Sequence, residues 1–377
     1  MAKLKEYLIN KIMKEINKIY FLLPGMDINS KRKCVPVGGY KVIYEYANML
    51  ASKGFKVVLA YSHARCKYDS LWSYVYSFLG FYYRKLFKQL KGGTYFSFHK
   101  TIEKKFYYRF STPWLKLQAK DIAFATAYVT ANELFNIKEL PLNRKYYFIQ
   151  DYELWADKEE KLKESYCLGM HNIVIAPWLL DKVKEAGAEA ACIPDGFNFT
   201  EFSLKKAIET RDRYHIVMLY HELEHKRCND SWAALEIVKK NVPKLHVTMF
   251  GTFPLAKDFP SWYTYYQNPS KAELNAIYNQ GAIYIAASDF EGFGLTIGEA
   301  MICGCAIACT NNGGFSCMAK DNRTALLSEI YNVKELAKNI ERLIGDDALR
   351  IKLARQGNEY IKNFTWKSSL NKLLKLL

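Results

Sequence analysis

The sequence predicts an α/β protein built from two Rossmann-like, doubly wound domains. Three observations carry this. A strand, loop, helix and strand follow one another in "NKIYFLLPG", "GGYKVIYEYANMLASKG" and "FKVVLAYS". The same order returns about 190 residues later in "YHIVMLYH", "ELEHKRCND", "SWAALEIVKKN" and "KLHVTMFG". The chain has 377 residues, half of them hydrophobic and 15% aromatic, enough for two to three domains with a sizeable core.

The elements follow in order. "MAKLKEYLINKIMKEINKIY" reads as an amphipathic helix with Leu4, Leu8, Ile12 and Ile16 on one stripe. Lys11, Lys14 and Glu15 break any signal-peptide core. No charge-free apolar stretch reaches about 18 residues, so no membrane-spanning helix is expected. The first strand ends near Gly25, and a loop with Lys31, Arg32 and Lys33 leads to Gly38-Gly39 and a helix closed by Gly54. An aromatic, basic insertion covers about 67–105. It reads either as a buried helix and loop or as an interfacial membrane surface, where Trp and Tyr sit with Lys and Arg. The strands "KFYYRF", "DIAFATA", "KYYFIQ", "NIVIAP" and "AACIP" complete the first half, with the helix "WLLDKVKEAG" before the last. "IPDGFN" (Ile193–Asn198) forms a linker turn around Asp195. Beyond it come the strand "WYTYYQ", the helix "SKAELNAIYNQ", the strands "AIYIAAS", "AIACT" and "TALLS", and two closing helices. The domains are read as 1–194, 195–357 and a terminal helix at 358–377.

The net charge of +16 favours anionic partners such as nucleotides, nucleic acid or an acidic membrane, and equally fits a Lys-rich solvated surface. No recognised binding module accompanies it, so nucleic acid is not expected. The nine cysteines suggest no disulfide framework and fit a cytosolic protein. Cys303, Cys305 and Cys309 lack zinc-site spacing and read as core residues; no metal is expected.

The chemistry concentrates in "SDFEGFGLTIGEAMICGCAIACTNNGG", Ser288–Gly314. It follows a buried parallel-type strand, and ligands bind at such carboxyl ends. Gly292 and Gly294 let the backbone approach a ligand. The amides of Gly294, Leu295 and Thr296 open a helix and suit phosphate. Glu299 projects just beyond them, and a carboxylate accepts two hydrogen bonds from a vicinal diol such as a ribose. The arrangement suits a nucleoside diphosphate. Taken singly, Glu291 is a first-turn acid and Glu299 a solvent-exposed one. In the first half, Gln150 and Asp151 end a strand. Asp151 either caps it or orients a sugar or acceptor hydroxyl.

"EGFGLTIGEAMICGCAIACT" resembles the E-x7-E motif of retaining GT-B glycosyltransferases of the GT4 type. "GGYKVIYEYANMLASKGFKVVL", "IPDGFN", "NNGGF" and "NEYIKNFTWKSSLNKLL" extend the resemblance over most of the chain. "YFIQDYE", "LYHELEHKRCNDSWAALEIVKK" and "HVTMFGT" resemble bacterial polysaccharide and S-layer rhamnosyltransferases.

The resemblance implies a GT-B fold with the two domains facing a central cleft. Glu299 would bind the donor ribose, and Glu291 would contact or support the donor sugar. The backbone of Gly292, Phe293, Gly294 and Leu295 would hold sugar and diphosphate. Lys226 and Arg227 would grip the diphosphate, their alternative being an exposed basic loop. Tyr220 or His221 fills the place of the family's Arg, and Cys228 that of a Gly. Gly38 and Gly39 would close over the diphosphate, or simply cap a helix. Thr126 and Tyr128 stand where many relatives carry a His. The implied activity moves a hexose or deoxyhexose, rhamnose among the candidates, from a nucleotide sugar to a glycan or lipid-linked acceptor. It needs no cofactor, and the enzyme would be cytoplasmic with peripheral membrane contact. A nucleotide-sugar epimerase and a catalytically weak scaffold at the membrane are the alternative readings.

Overall fold

The computed structural model describes residues 13–28, 34, 37–63, 70–110, 114–154, 156–255 and 258–377. Of the helix expected in the stretch 1–20, residues 1–12 lie outside them, as does the basic loop at 31–33. The chain forms two compact units, Met1–Pro194 with Lys367–Leu377, and Asp195–Trp366.

The first unit holds β1 (Ile19–Leu23), α1 (Gly38–Ser52), β2 (Val57–Ser62), α2 (Leu71–Leu86), β3 (Glu103–Tyr107), β4 (Ile122–Ala125), α3 (Tyr128–Phe135), β5 (Lys145–Ile149), α4 (Glu159–Tyr166), β6 (His171–Val174), α5 (Pro177–Glu185) and β7 (Ala190–Cys192). Its sheet runs β3-β2-β1-β4-β5-β6-β7, and every pair is parallel. The interior strand β1, "IYFLL", is buried along its whole length, as expected where helices cover both faces of such a sheet. Gly54 at φ +95° ends α1 in the left-handed region, as its sequence position suggested. Lys145 is buried yet satisfied: its ammonium donates to the carbonyls of Phe135 (3.0 Å) and Ile137 (2.7 Å), closing the C-terminal end of α3.

The insertion forms α2, whose cap is Ser70, with Oγ accepting the Ser73 amide. Of its side chains only Phe81 is fully buried. Tyr74, Phe78 and Phe81 pack on Tyr108, and Phe78 also on Trp114. The opposite face is open to solvent, which overturns the reading of a buried helix.

The second unit holds β8 (His215–Tyr220), α6 (Cys228–Asn241), β9 (His246–Gly251), β10 (Tyr263–Gln267), α7 (Lys271–Gln280), β11 (Ile283–Ala286), α8 (Leu295–Ile302), β12 (Ala306–Thr310), β13 (Leu326–Ser328), α9 (Val333–Gly345) and α10 (Asp347–Ile361). Its sheet order is β10-β9-β8-β11-β12-β13, again all parallel. Strand order therefore reverses between β8 and β11, and the carboxyl ends there are the natural ligand position of such a sheet. Helix α6 begins at Cys228, three residues before the expected Ser231, because Arg227 turns left-handed (φ 46°) and starts it early. Cys303, Cys305 and Cys309 are core residues. The last helix, α11 (Trp366–Leu373), opens on the final residue of the second unit. The return was expected from 358, but α10 continues to Ile361 within the second unit. In the first unit, Ser369 Oγ donates to the Pro194 carbonyl at 2.7 Å.

Candidate active site

The loop after β8 and the loop after β11 are tied to each other at the reversal point. The Asp289 amide donates to the His225 carbonyl at 3.1 Å. The Lys226 ammonium lies 2.8 Å from both carboxylate oxygens of Glu291. Ser288 Oγ donates to Glu291 Oε1 at 2.8 Å. The Ser288 carbonyl in turn accepts the Thr310 hydroxyl and the Asn312 amide. Glu291 is thus fixed from β12 as well as from its own loop. Gly314 closes the other side: a Cβ there would lie 2.3 Å from the Glu291 carbonyl oxygen, so only glycine lets "NNGG" pass. Ser288 and Asn312 went unassigned from sequence. Their signal was present, a hydroxyl three residues before Glu291 and an Asn in the loop of the neighbouring strand.

Gly294 sits at φ +91° and starts α8, with no side chain capping that helix. A Cβ at Gly294 would meet Phe315 at 2.6 Å. The first amides of α8, at Leu295 and Thr296, follow Glu291 by four and five residues and have no side-chain cap, and the helix dipole adds partial positive charge at this end. The Phe293 side chain turns away into the core, against Phe197 and Phe364. Only its backbone is left to meet a ligand. Glu299 lies one turn into α8 and is buried, not solvent-exposed; its Oε2 accepts the Tyr278 hydroxyl at 3.4 Å. The neighbouring Gly298 makes room for Phe197, whose ring a Cβ would strike at 2.1 Å.

The surroundings of His221 and Arg227 decide what each can offer a ligand. His221 stands where a relative's Arg is expected, yet burial first and then Lys226 push its pKa down to about 4. The ring is neutral at pH 7. Its Nδ1 accepts the Leu223 amide at 3.0 Å, which leaves the proton on Nε2. His221 offers one neutral donor and no charge. Burial and Lys226 also depress His225. Arg227 does not reach toward Glu291. It pairs with Asp230 at 2.9 Å and stacks on Tyr331, whose hydroxyl donates to Asp289. Lys226 is the candidate cation that meets Glu291.

The remaining expected residues belong to the first unit. Gly38 and Gly39 open α1, whose cap Val37 provides no side-chain acceptor. A Cβ on Gly39 would lie 3.4 Å from the Gln150 carboxamide oxygen. That oxygen is buried without a hydrogen bond among the described residues. Asp151 follows Gln150, and its Oδ1 accepts the Tyr152 amide at 3.0 Å. The Thr126 hydroxyl donates to the Leu22 carbonyl, and the Tyr128 hydroxyl donates to Asp157. Glu153 was missed. Buried, it accepts the Tyr128 amide at the start of α3, and desolvation pushes its pKa up to about 8.

Residues 201–362 match the family described as "Glycosyl transferases group 1". The D-inositol 3-phosphate glycosyltransferase of Corynebacterium jeikeium is 30% identical over 104 residues, 28% of this chain and 25% of that one. An uncharacterized glycosyltransferase of Methanocaldococcus jannaschii is 31% identical over 94 residues, 25% of this chain and 27% of that one. The matches span about a quarter of the length of these relatives. Among solved structures, the sucrose-phosphate synthase of Thermosynechococcus elongatus superposes with a TM-score of 0.69 at 13% identity, covering 96% of this chain and 98% of that one. HepE of Anabaena, solved with UDP and glucose, superposes at 0.68 and 13% identity, covering 95% and 98%. The fold of these proteins is the one found here, two parallel-sheet Rossmann-like domains of the GT-B class.

Proposed function

We propose, taking a group 1 glycosyltransferase domain over residues 201–362 as the premise, that this protein transfers a glycosyl group from a nucleoside diphosphate sugar. One observation carries the reading most: a buried carboxylate, Glu299, stands one turn beyond uncapped helix amides, in the loop and helix that also carry the Lys226-paired Glu291. Glu299 binds the ribose diol. The amides of Gly292 to Thr296 and Lys226 hold the diphosphate. Glu291 addresses the sugar once phosphate has drawn Lys226 away. HepE, solved with UDP and glucose, supports a nucleotide sugar as donor.

The transfer proceeds with retention. The bond from the anomeric carbon to the diphosphate oxygen breaks, and the acceptor oxygen bonds that carbon from the same face. The acceptor proton passes to the departing phosphate oxygen. Lys226 and the amides stabilise the charge that develops on the leaving group. The sugar is a hexose or deoxyhexose, with rhamnose a candidate, and the acceptor is a glycan or lipid-linked saccharide in surface-polysaccharide synthesis. The enzyme works from the cytoplasm, peripherally at the membrane, without a metal. Asp151 orients a sugar or acceptor hydroxyl, and Gly38 and Gly39 add to the hold on the diphosphate, whose main ligands lie in 195–366.

Calorimetric titration with UDP, dTDP and GDP tests this. One of them binds, and Glu299→Ala weakens it by about 10- to 100-fold, the worth of hydrogen bonds to a charged group. No binding by any of the three, or an unchanged affinity in Glu299→Ala, refutes the assignment. The neutral His221 favours one second reading, a scaffold that binds donor with little turnover. Donor hydrolysis and transfer assays separate the two.

A further inference from the structure

We propose that the outward face of α2 is a docking surface for an anionic lipid bilayer. The inference deepens the lipid-linked acceptor of the function above and rests on that reading for its purpose, though not for its geometry. Trp72, Tyr76, Leu79, Tyr83, Leu86 and Phe87 are between 55% and 76% exposed. Their spacing of three and four places them on one side of the helix. The inward side is already occupied, since Tyr74, Phe78 and Phe81 pack on Tyr108 and His63 stacks on Phe81. The helix is therefore apolar on both sides, with one side covered and the other open. A helix of 16 residues is about 24 Å long, too short to span a bilayer and suited to lying along its surface. Trp and Tyr beside Leu and Phe are the side chains that settle at the headgroup boundary.

Charge selects the occupant. From residue 70 to residue 102 the sequence contains no Asp or Glu. Lys85, Lys88 and Lys91 are exposed at the end of the helix and just past it. A second copy docking through the same face would bring these like charges together. An anionic lipid surface neutralises them, while the apolar stripe sinks into the headgroup layer.

Flotation of the full chain with vesicles tests the proposal. The protein floats with mixed phosphatidylcholine–phosphatidylglycerol vesicles. Its partition into pure phosphatidylcholine is roughly 100-fold weaker, the worth of three lysines near an anionic surface. Trp72→Gln/Leu79→Gln/Leu86→Gln lowers flotation at least tenfold, and Lys85→Gln/Lys88→Gln/Lys91→Gln removes the preference for anionic lipid. Both variants keep the wild-type affinity for whichever of UDP, dTDP and GDP binds, and the wild-type far-UV circular dichroism. A wild-type chain that stays in solution overturns the proposal, as does flotation untouched by the apolar triple variant. So does a wild-type dimer that this variant dissociates without any flotation. Flotation without nucleotide binding would instead sink the glycosyl-transfer reading and leave the surface standing.

Discussion

Lys226 and Glu291 set opposite expectations for their two removals. Each neutralises the other at 2.8 Å in a half-buried position. Lys226→Ala removes the diphosphate's cation and leaves Glu291 uncompensated beside it, so nucleoside diphosphate affinity falls about 10- to 100-fold. Glu291→Gln frees Lys226 for phosphate. It keeps or tightens UDP binding in calorimetry, while transfer from the sugar donor drops about 100-fold in a kinetic assay. Asp195 is a second residue with a measurable consequence. Burial alone pushes its pKa up to about 8, and its Oδ1 has no hydrogen-bond partner among the described residues. The folded state binds this proton more tightly than the unfolded chain, whose Asp titrates near 4. The contribution to stability is therefore complete below about pH 4 and is lost as pH rises toward about 8. Asp195→Asn cannot ionise. Its melting temperature relative to wild type rises by roughly 10 °C between pH 5 and pH 8.5, about three pH units at about 1.4 kcal/mol each and roughly 2–4 °C per kcal/mol for a unit of this size. Sequence showed Asp195 only as part of a turn, since a turn aspartate reads alike whether it is buried or exposed.

At the scale of elements, most strands were legible because helices on both faces of a parallel sheet demand unbroken apolar runs. "IYFLL" and "AIACT" are such runs, and both are fully buried. The start of α8 was legible through "GFG", which a tight approach requires. The early start of α6 was not, since nothing in "HKRCND" announces a left-handed Arg227. The exposure of α2 was not either. An all-apolar helix reads alike whether covered on one side or both. Gly314 shows how closely elements meet around the site, its α-carbon pressed against the Glu291 backbone. Gly314→Ala forces that loop to shift. Turnover falls about 100-fold, the cost of roughly 1 Å of misplacement, while UDP affinity, held chiefly at Glu299 and α8, changes less. Paired kinetics and calorimetry on one preparation check this split.

For the molecule as a whole, the donor ligands proposed for residues 195–366 make one unit the nucleotide's binder. Binding at 100 times Kd stabilises that unit by about 2.7 kcal/mol. A calorimetric scan with whichever of UDP, dTDP and GDP binds, at saturation, moves the transition of the second unit upward by several degrees and leaves that of the first where it was. The same division has a consequence for the gene. The strand-like bridge between Phe197 and Thr365, with the Phe197 amide on the Phe364 carbonyl at 3.0 Å, brings the two ends of the second unit together. Gly196 lies so near Trp366 that no side chain fits between them. A segment whose ends touch is a cassette. It can be cut out and expressed by itself, exchanged for the equivalent segment of a relative, or reopened elsewhere with its old ends joined by a few residues. Recombination at these two adjacent points would carry donor choice from one chain to another as a single block.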